Sequence, residues 1–589
     1  MPDAALKFKS TDVLGKVAAV DTTRVLIGVS DPQLITRVGI GNLIAVKGAT
    51  EHEFLIGITE KVTRSIREEL LDEEQESSES LELGFRADDV VRVVLVGTFR
   101  TVQGDEPNKF KRGADTFPQI DRDCYFIEGA NLQRFMGLLG AELKEAERLE
   151  LGNFVIDPNA KAVASGDRFF QRHASILGST GSGKSYAVAL LLERASKLKH
   201  PNIIVFDMHG EYEPLANEKD GYATRYRIAG PGDLDDPGDD VLFLPYWLLN
   251  RDEMLSMILD RSDQNAPNQA SRFTSHVRDL KLQTLQAEKQ TETEKTFTVD
   301  SPIPYDIDEL IKLVEDDDRA MVPGKTLKNG NPGTPTKGEW NSKLTRFLGR
   351  MKAKLDDRRY GFLFHPPQAA MQYDWLAKQL VSALRSDADR PGIKIIDFSE
   401  VPTDVLPIVT GTFARLLYDL QFWLRPEKRT PFSIICDEAH LYLPVKDDAD
   451  AVEKQALATF ERIAKEGRKY GVSLVVVSQR PSDVSRTILS QCNNFLVLRL
   501  TNDRDQSVVG RLIPDSMSGL MEMLPLLDIG EALLLGDAVL LPTRIKLDCP
   551  VIPPASGTRD FWREWGKNKP DANSIEEAVE TLRRQTRPK

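Results

Sequence analysis

The sequence predicts an α/β protein: a largely parallel β-sheet with helical crossovers, preceded by a small β-barrel and interrupted by a helical segment. Three observations carry this reading. Apolar runs at Ala174–Leu177, Ile203–Asp207, Ser433–Asp437, Ser473–Ser478 and Phe495–Leu500 are separated by helical patterns, as expected of parallel strands covered on both faces. Within residues 1–165, short strand-like runs at Val25–Val29, Leu43–Val46, Phe54–Ile58 and Val90–Phe99 are punctuated by Gly, Asp and Asn, the texture of a small barrel or sandwich. Between the second and third apolar runs, residues 251–390 are mostly polar and helical in pattern.

Composition bounds the rest. The chain has 589 residues, 41% hydrophobic and 28% charged, enough for two to four domains with real cores at ~100–200 residues each. The formal charge of -13 excludes a protein basic over its whole surface while leaving room for a local basic channel. Cys124, Cys436, Cys492 and Cys549 lie far apart and form no CxxC pair, which argues against a disulfide framework or a zinc finger. The opening stretch MPDAALKFKSTDVLG lacks an apolar signal core, and no run of 18 apolar residues occurs. A soluble cytoplasmic chain with no membrane partner is therefore expected.

The expected blocks are 1–165, a β domain; 166–250 and 391–545, the α/β core; 251–390, a helical domain; and 546–589, a C-terminal extension. The acidic, Ser-rich stretch Ser65–Ser80 has too few apolar residues to pack and reads as a solvated loop, and Val322–Glu339 reads as a loop rich in Gly and Pro. Lys343, Arg346, Arg350, Lys352 and Lys354 read as a solvated helix face. The last block passes through Pro550–Pro554 and a short helix to a basic tail with Arg583, Arg584, Arg587 and Lys589.

The strongest signal is Gly178-Ser179-Thr180-Gly181-Ser182-Gly183-Lys184-Ser185, which matches GxxxxGK[ST] between an apolar strand and a helical pattern. Glycines let backbone N–H groups wrap phosphates, and the helix N-terminus adds unpaired donors and a favourable dipole. Lys184 is suited to the β- and γ-phosphates of ATP and Ser185 to Mg²⁺. The strand-like run ending in Asp437-Glu438-Ala439-His440 delivers two acids where ligands bind in open α/β sheets. Asp437 suits the magnesium shell and Glu438 the attacking water. His440 either couples this pair to a neighbouring element or simply caps and packs.

Asp207-Met208-His209-Gly210-Glu211 follows another apolar run. Asp207 and Glu211 read as support for the nucleotide site, with a turn cap or a metal centre on Asp207 and His209 as alternatives. Gln479, in Val477-Ser478-Gln479-Arg480-Pro481, is placed to sense the γ-phosphate or the water. Arg468 and Lys469, at a helix end before Gly471, either cap that helix or reach a neighbour's ATP as a finger.

Together, RHASILGSTGSGKS (172–185), VFDMHGEY (205–212), IICDEAHLYLP (434–444), EGRKYGVSLVVVSQRPSDV (466–484) and LSQCNNFLVLRLTN (489–502) resemble the HerA family of the FtsK–HerA hexameric DNA-translocating ATPases. The resemblance covers about 165–250 and 390–545. It implies a RecA-like P-loop ATPase core with an N-terminal HAS-barrel and an adjoining helical domain. Lys184 and Ser185 match the Walker A pair and Asp437 and Glu438 the Walker B pair. Arg468 matches the trans-acting arginine, Gln479 the sensor, and Arg172 an arginine of the nucleotide site. It further implies a homohexamer around double-stranded DNA, with a C-terminal extension bracketing the adjacent pocket. A separate effector, a nuclease or a sirtuin-like NAD hydrolase, would dock on the barrel, in anti-phage defence or in DNA end resection. The chain has no nuclease or NAD-cleaving motif of its own. A ring scaffold with little translocation, or a non-ring ATPase switch, are the alternatives; the switch would leave Arg468 no neighbour to serve.

Overall fold

A computed structural model describes residues 5–22, 24–50, 52–70, 83–100, 108–114, 116–141, 143–217, 219–324, 333–385, 391–447, 449–513, 518–557, 560–567 and 571–585. The chain forms two compact units. The first comprises 1–194, 475–483 and 489–551; the second comprises 195–474, 484–488 and 552–589.

In the first unit, six antiparallel strands close a barrel in the order Arg24–Val29, Val13–Asp21, Asp123–Phe126, Leu43–Lys47, Glu53–Leu70 and Leu83–Arg100, the last pairing back onto the first. Alternation drives it: Val25, Ile27 and Val29 are buried while their neighbours are half-exposed. These side chains meet Ile44, Val46, Leu55, Val91 and Val93 in one core. Register shifts at Ile56/Gly57 and Thr59/Lys61 give the local bends that closure needs. Residues 65–70 are strand, not loop: they pair from Ser65↔Asp88 to Leu70↔Leu83. A hairpin ladder is made of backbone bonds, so low apolar content does not forbid it. Residues 71–80 of the acidic stretch lie outside the described residues.

The same unit holds a second sheet. Ala174–Leu177 lies parallel between Val472–Ser478, through its residues 475–478, and Asn494–Leu498. Antiparallel strands Glu531–Gly536, Thr543–Leu547, Arg148–Phe154 and Asp157–Ser165 follow in that order. The hairpin at 148–165 therefore pairs with Thr543–Leu547 and not with the barrel, where its sequence position puts it. Short strands look alike locally, and their pattern does not name the partner.

In the second unit, five parallel strands run in the order Val241–Leu242, Ala223–Ile228, Ile393–Asp397, Ile203–Asp207 and Phe432–Cys436. Each residue of the last three is buried, which explains their unbroken apolar character. The helix Ala451–Tyr470 starts with a reciprocal Asp450–Glu453 capping box. It packs against Leu406–Trp423, where a β-carbon at Gly411 would come within 2.8 Å of Ala456. Between residues 251 and 390 lie the helices Arg251–Ile258, Ala266–Ala287, Ile307–Arg319, Thr345–Asp356 and Trp375–Leu384. The tract at 322–339 is partly a hairpin: Met321–Gly324 pairs with Gly333–Lys337, although its Gly and Pro content reads as loop. Arg350 is bound to Asp260, Lys352 to Glu315 and Lys354 to Asp404. The final helix, Ala572–Arg584, buries no residue and exposes Ile575, Val579 and Leu582. Among the described residues no helix is long and apolar enough to cross a membrane.

Candidate nucleotide-hydrolysis site

The phosphate loop leaves the buried strand Ala174–Leu177 and enters the helix Lys184–Ser196. Neighbouring strand ends pin it. Gly178 N donates to Ser478 O at 3.3 Å and Ser179 N to Arg499 O at 2.8 Å, while Ser182 N closes the turn on Ser179 O at 3.2 Å. Gly181 and Gly183 have φ of 73° and 105°, the region L side chains resist. From such conformations successive N–H groups can converge on an anion. Lys184 is buried, and its Nζ donates to Ser179 O at 3.4 Å across the loop. Ser185 is half-buried in the first helical turn. This donor-rich, glycine-shaped loop fits a polyphosphate.

Gln479 is brought to the loop: its side-chain oxygen accepts from the Thr180 hydroxyl. Thr501, which motif reading passed over, donates through its N–H to Ser179 Oγ at 3.2 Å. Arg172 is placed otherwise. It precedes the strand whose far end carries the loop and pairs with Asp537. It therefore stands a strand's length, roughly 15 Å, from this chain's own phosphate loop, because a residue on the N-terminal side of a parallel strand is at the opposite edge from the ligand-binding side.

The second unit assembles the acids. Ile203–Asp207 and Ile393–Asp397 are adjacent, with Asp207 opposite Asp397, and Asp437 follows the next strand, Phe432–Cys436. Asp207 is consumed by its own loop. Its Oδ1 accepts from the N–H groups of His209 (3.2 Å), Gly210 (2.8 Å) and Glu211 (3.1 Å), and its Oδ2 from Tyr212 N (3.0 Å). Burial pushes the Asp207 carboxyl up to about 6, against the pull of these N–H bonds. Asp207 is thus the cap that shapes 208–212, and His209 is exposed. Asp397 accepts from Arg225 at 2.7 Å and from Ser399 N at 2.8 Å.

Asp437 is fully enclosed, and burial, then the charges of Glu438, Asp207 and Glu211, holds its carboxyl far above the usual range. Burial, then the charges of Asp437, Asp207 and Glu211, pushes the hydroxyl of the fully buried Tyr212 up as well. Such concentrated, undercompensated negative charge fits a divalent cation. Among the described residues no group of three or more His, Cys, Asp or Glu forms a metal cage. A cation here would lean on few protein ligands, the habit of magnesium beside substrate phosphates. Glu438 has a left-handed backbone, φ 44° and ψ 45°, the sparsely populated geometry that clusters at active sites. Its Oε2 lies 3.2 Å from His440 Nδ1, so His440 touches the acid pair.

Arg468 is not brought to that pair. It sits in the last turn of Ala451–Tyr470, and the next residues return to the start of a strand, with Phe432 N donating to Gly471 O at 2.9 Å. Asp437 lies beyond the far end of Phe432–Cys436, roughly 15 Å away. Arg468 is exposed and, among the described residues, its side chain makes no ion pair or hydrogen bond. Asp397 and Arg225 escape sequence reading, although Ile393–Asp397 carries the same signal as Ile203–Asp207, a largely apolar run ending in a carboxylate; Tyr212 stands in the quoted motif 205–212 without an assigned role.

Residues 149–417 match the family model of the helicase HerA central domain. The chain is 24% identical over 432 residues to the DNA double-strand break repair helicase HerA of Pyrococcus furiosus, covering 68% of this chain and 69% of that protein. It is 26% identical over 404 residues to a probable helicase of Methanocaldococcus jannaschii, covering 68% and 67%. Among solved structures, VirB4 of Thermoanaerobacter pseudethanolicus aligns with a TM-score of 0.46 and 16% identity over 69% of this chain and 98% of that one. The fold class follows from the strand order and the phosphate loop instead of from that alignment.

Proposed function

We propose that this HerA-like P-loop ATPase, related in sequence to DNA helicases, hydrolyses ATP with Mg²⁺ as a homohexameric motor on double-stranded DNA. The observation that carries the reading is that one chain holds both a glycine-shaped phosphate loop, in its first unit, and a buried Asp437 followed by a left-handed Glu438, in its second. Lys184 holds the phosphates, and Ser185 and Asp437 hold the magnesium. When bound, that ion neutralises charge developing on the phosphoryl oxygens. Glu438 orients and polarises the attacking water, and Gln479, tied to Thr180, senses its surroundings. Asp207 acts at one remove by fixing the loop that presents Glu211.

Arg468 and Arg172 each lie a strand's length from this chain's own catalytic elements, which supports service to a neighbouring subunit. The exposed apolar stripe Ile575, Val579 and Leu582 supports a C-terminal extension that brackets the adjacent subunit. The motor works in the cytoplasm with a separate effector, a nuclease or a sirtuin-like NAD hydrolase, docked on the N-terminal barrel in anti-phage defence. This finer reading is supported by motif order alone. The relatives' names, DNA double-strand break repair helicases, favour a second reading, a motor for DNA ends in repair. The paired state of Arg350, Lys352 and Lys354 supports neither, since these cations are already matched by carboxylates.

Binding of ATP with Mg²⁺ by the full chain, measured by calorimetry, tests the site. Lys184→Ala should weaken it by about tenfold or more, the scale of a lost charge-assisted contact. Equal affinity in the two chains, or no binding by the unaltered chain, would overturn the assignment.

A further inference from the structure

Residues 518–530 run from the barrel to the phosphate loop within the first unit. At one end, Leu520 and Met523 lie against Gly41, with approaches of 3.9 and 4.0 Å to the position a β-carbon there would take. Gly519 packs so tightly on the barrel strand Glu53–Leu70 that a β-carbon would stand 2.3 Å from Glu60 Cγ and 2.7 Å from Glu60 O. Glu60 is itself fixed by Arg24 at 3.1 Å. In the middle, Leu524 O accepts from Leu500 N at 3.2 Å, one residue from Arg499 and Thr501, which both bind Ser179. At the other end, Gly530 N donates to Ser182 O at 3.1 Å, and Gly530 O accepts from Leu547 N at 2.9 Å. Gly530 also abuts Gly183, whose β-carbon position is 3.5 Å from Gly530 N.

Gly530 makes these contacts with φ 73°, while the space where its β-carbon would go is empty. The requirement there is conformational, not steric: a left-handed residue turns its N–H onto the loop.

We propose that Gly530 is a positioning residue for the phosphate loop, and that the strap 518–530 makes the loop's shape depend on the barrel. The inference rests on the ATP reading of that loop. A ligand that shifts the barrel strand at Glu60 would alter nucleotide affinity, and by linkage nucleotide would alter affinity for that ligand.

The full chain and its Gly530→Ala, Gly530→Asn and Gly519→Ala variants are compared by amide hydrogen exchange and by ATP–Mg²⁺ binding. Gly530→Ala should speed exchange at residues 178–185 without nucleotide and raise the Kd for ATP by about five- to thirty-fold, the penalty of a left-handed alanine. Asn tolerates that conformation, so Gly530→Asn should stay within about threefold of the unaltered chain. Gly519→Ala, at the barrel end, should also speed exchange at 178–185 and raise Kd by about fivefold or more. If Gly519→Ala does not fold, Leu520→Ser, which loosens the Gly41 contact, takes its place with the same expected direction.

Unchanged exchange at 178–185 in the alanine variants, or a Gly530→Asn chain as impaired as Gly530→Ala, overturns the strap. Exchange that rises as expected in a chain that binds no ATP keeps the strap and overturns the nucleotide reading instead.

Discussion

Replacing Glu438 by glutamine is expected to lower ATP turnover by about 10²–10⁴-fold, the usual contribution of a positioned acid–base group, with ATP affinity kept within a few-fold. The local structure makes the change clean. Glutamine has the same length, and the backbone at φ 44° is imposed by the turn after the buried strand Phe432–Cys436. The Glu438 N–H bond to Asp437 Oδ1 at 2.9 Å is retained. Lost are the carboxylate's ability to polarise water and its charge beside Asp437. Because that charge helps hold the Asp437 carboxyl up, the amide should ease ionisation of Asp437, so magnesium-dependent binding should not weaken. Single-turnover kinetics and calorimetry on one preparation separate the two quantities. A normal rate, or a loss of binding equal to that of Lys184→Ala, contradicts the assignment.

Arg468→Ala is expected to reduce turnover by about 10³-fold or more, as for a trans-acting arginine finger, with little change in the melting temperature. The stability expectation follows from its surroundings: the side chain is exposed and unpaired among the described residues, and only the favourable charge at a helix C-terminus is lost, about 0.3–1 kcal/mol. Since Arg468 lies far from its own Asp437, the catalytic loss must act on another subunit's ATP. Mixing Arg468→Ala chains with Lys184→Ala chains should then restore part of the activity, because some interfaces combine an intact loop with an intact arginine. No rescue in proven mixed rings would reduce Arg468 to a helix cap.

The legible part of this molecule is the part whose chemistry demands particular residues at fixed spacing. Gly178–Ser185 and Asp437–Glu438 stand at strand ends as their patterns require. Positions set by topology are not legible in that way. Asp397 reaches Asp207 only through strand pairing between distant segments, and Gly530 reaches Ser182 from the turn before the antiparallel strand Glu531–Gly536, far along the sequence. Asp207 shows a different limit: its position after an apolar run suits support of the nucleotide site, yet four local N–H groups claim it as a turn cap, the alternative the sequence left open. Arg172 and Arg468 match motif positions, but in the single chain each lies on the wrong edge of its strands. The hairpin at 148–165 and the extended arms at 65–70 show that short-strand pattern specifies existence better than partner or length.

ATP hydrolysis at this site is proposed to be coupled to duplex DNA by a closed ring. Turnover of the full-length chain, with its mass fixed by light scattering, should be followed as duplex DNA is added at low and then rising salt. A hexamer whose turnover climbs with DNA is expected, with the gain falling steeply as salt displaces phosphate contacts. A hexamer whose turnover is indifferent to duplex DNA even at low salt would contradict it and leave an ATP-stabilised scaffold.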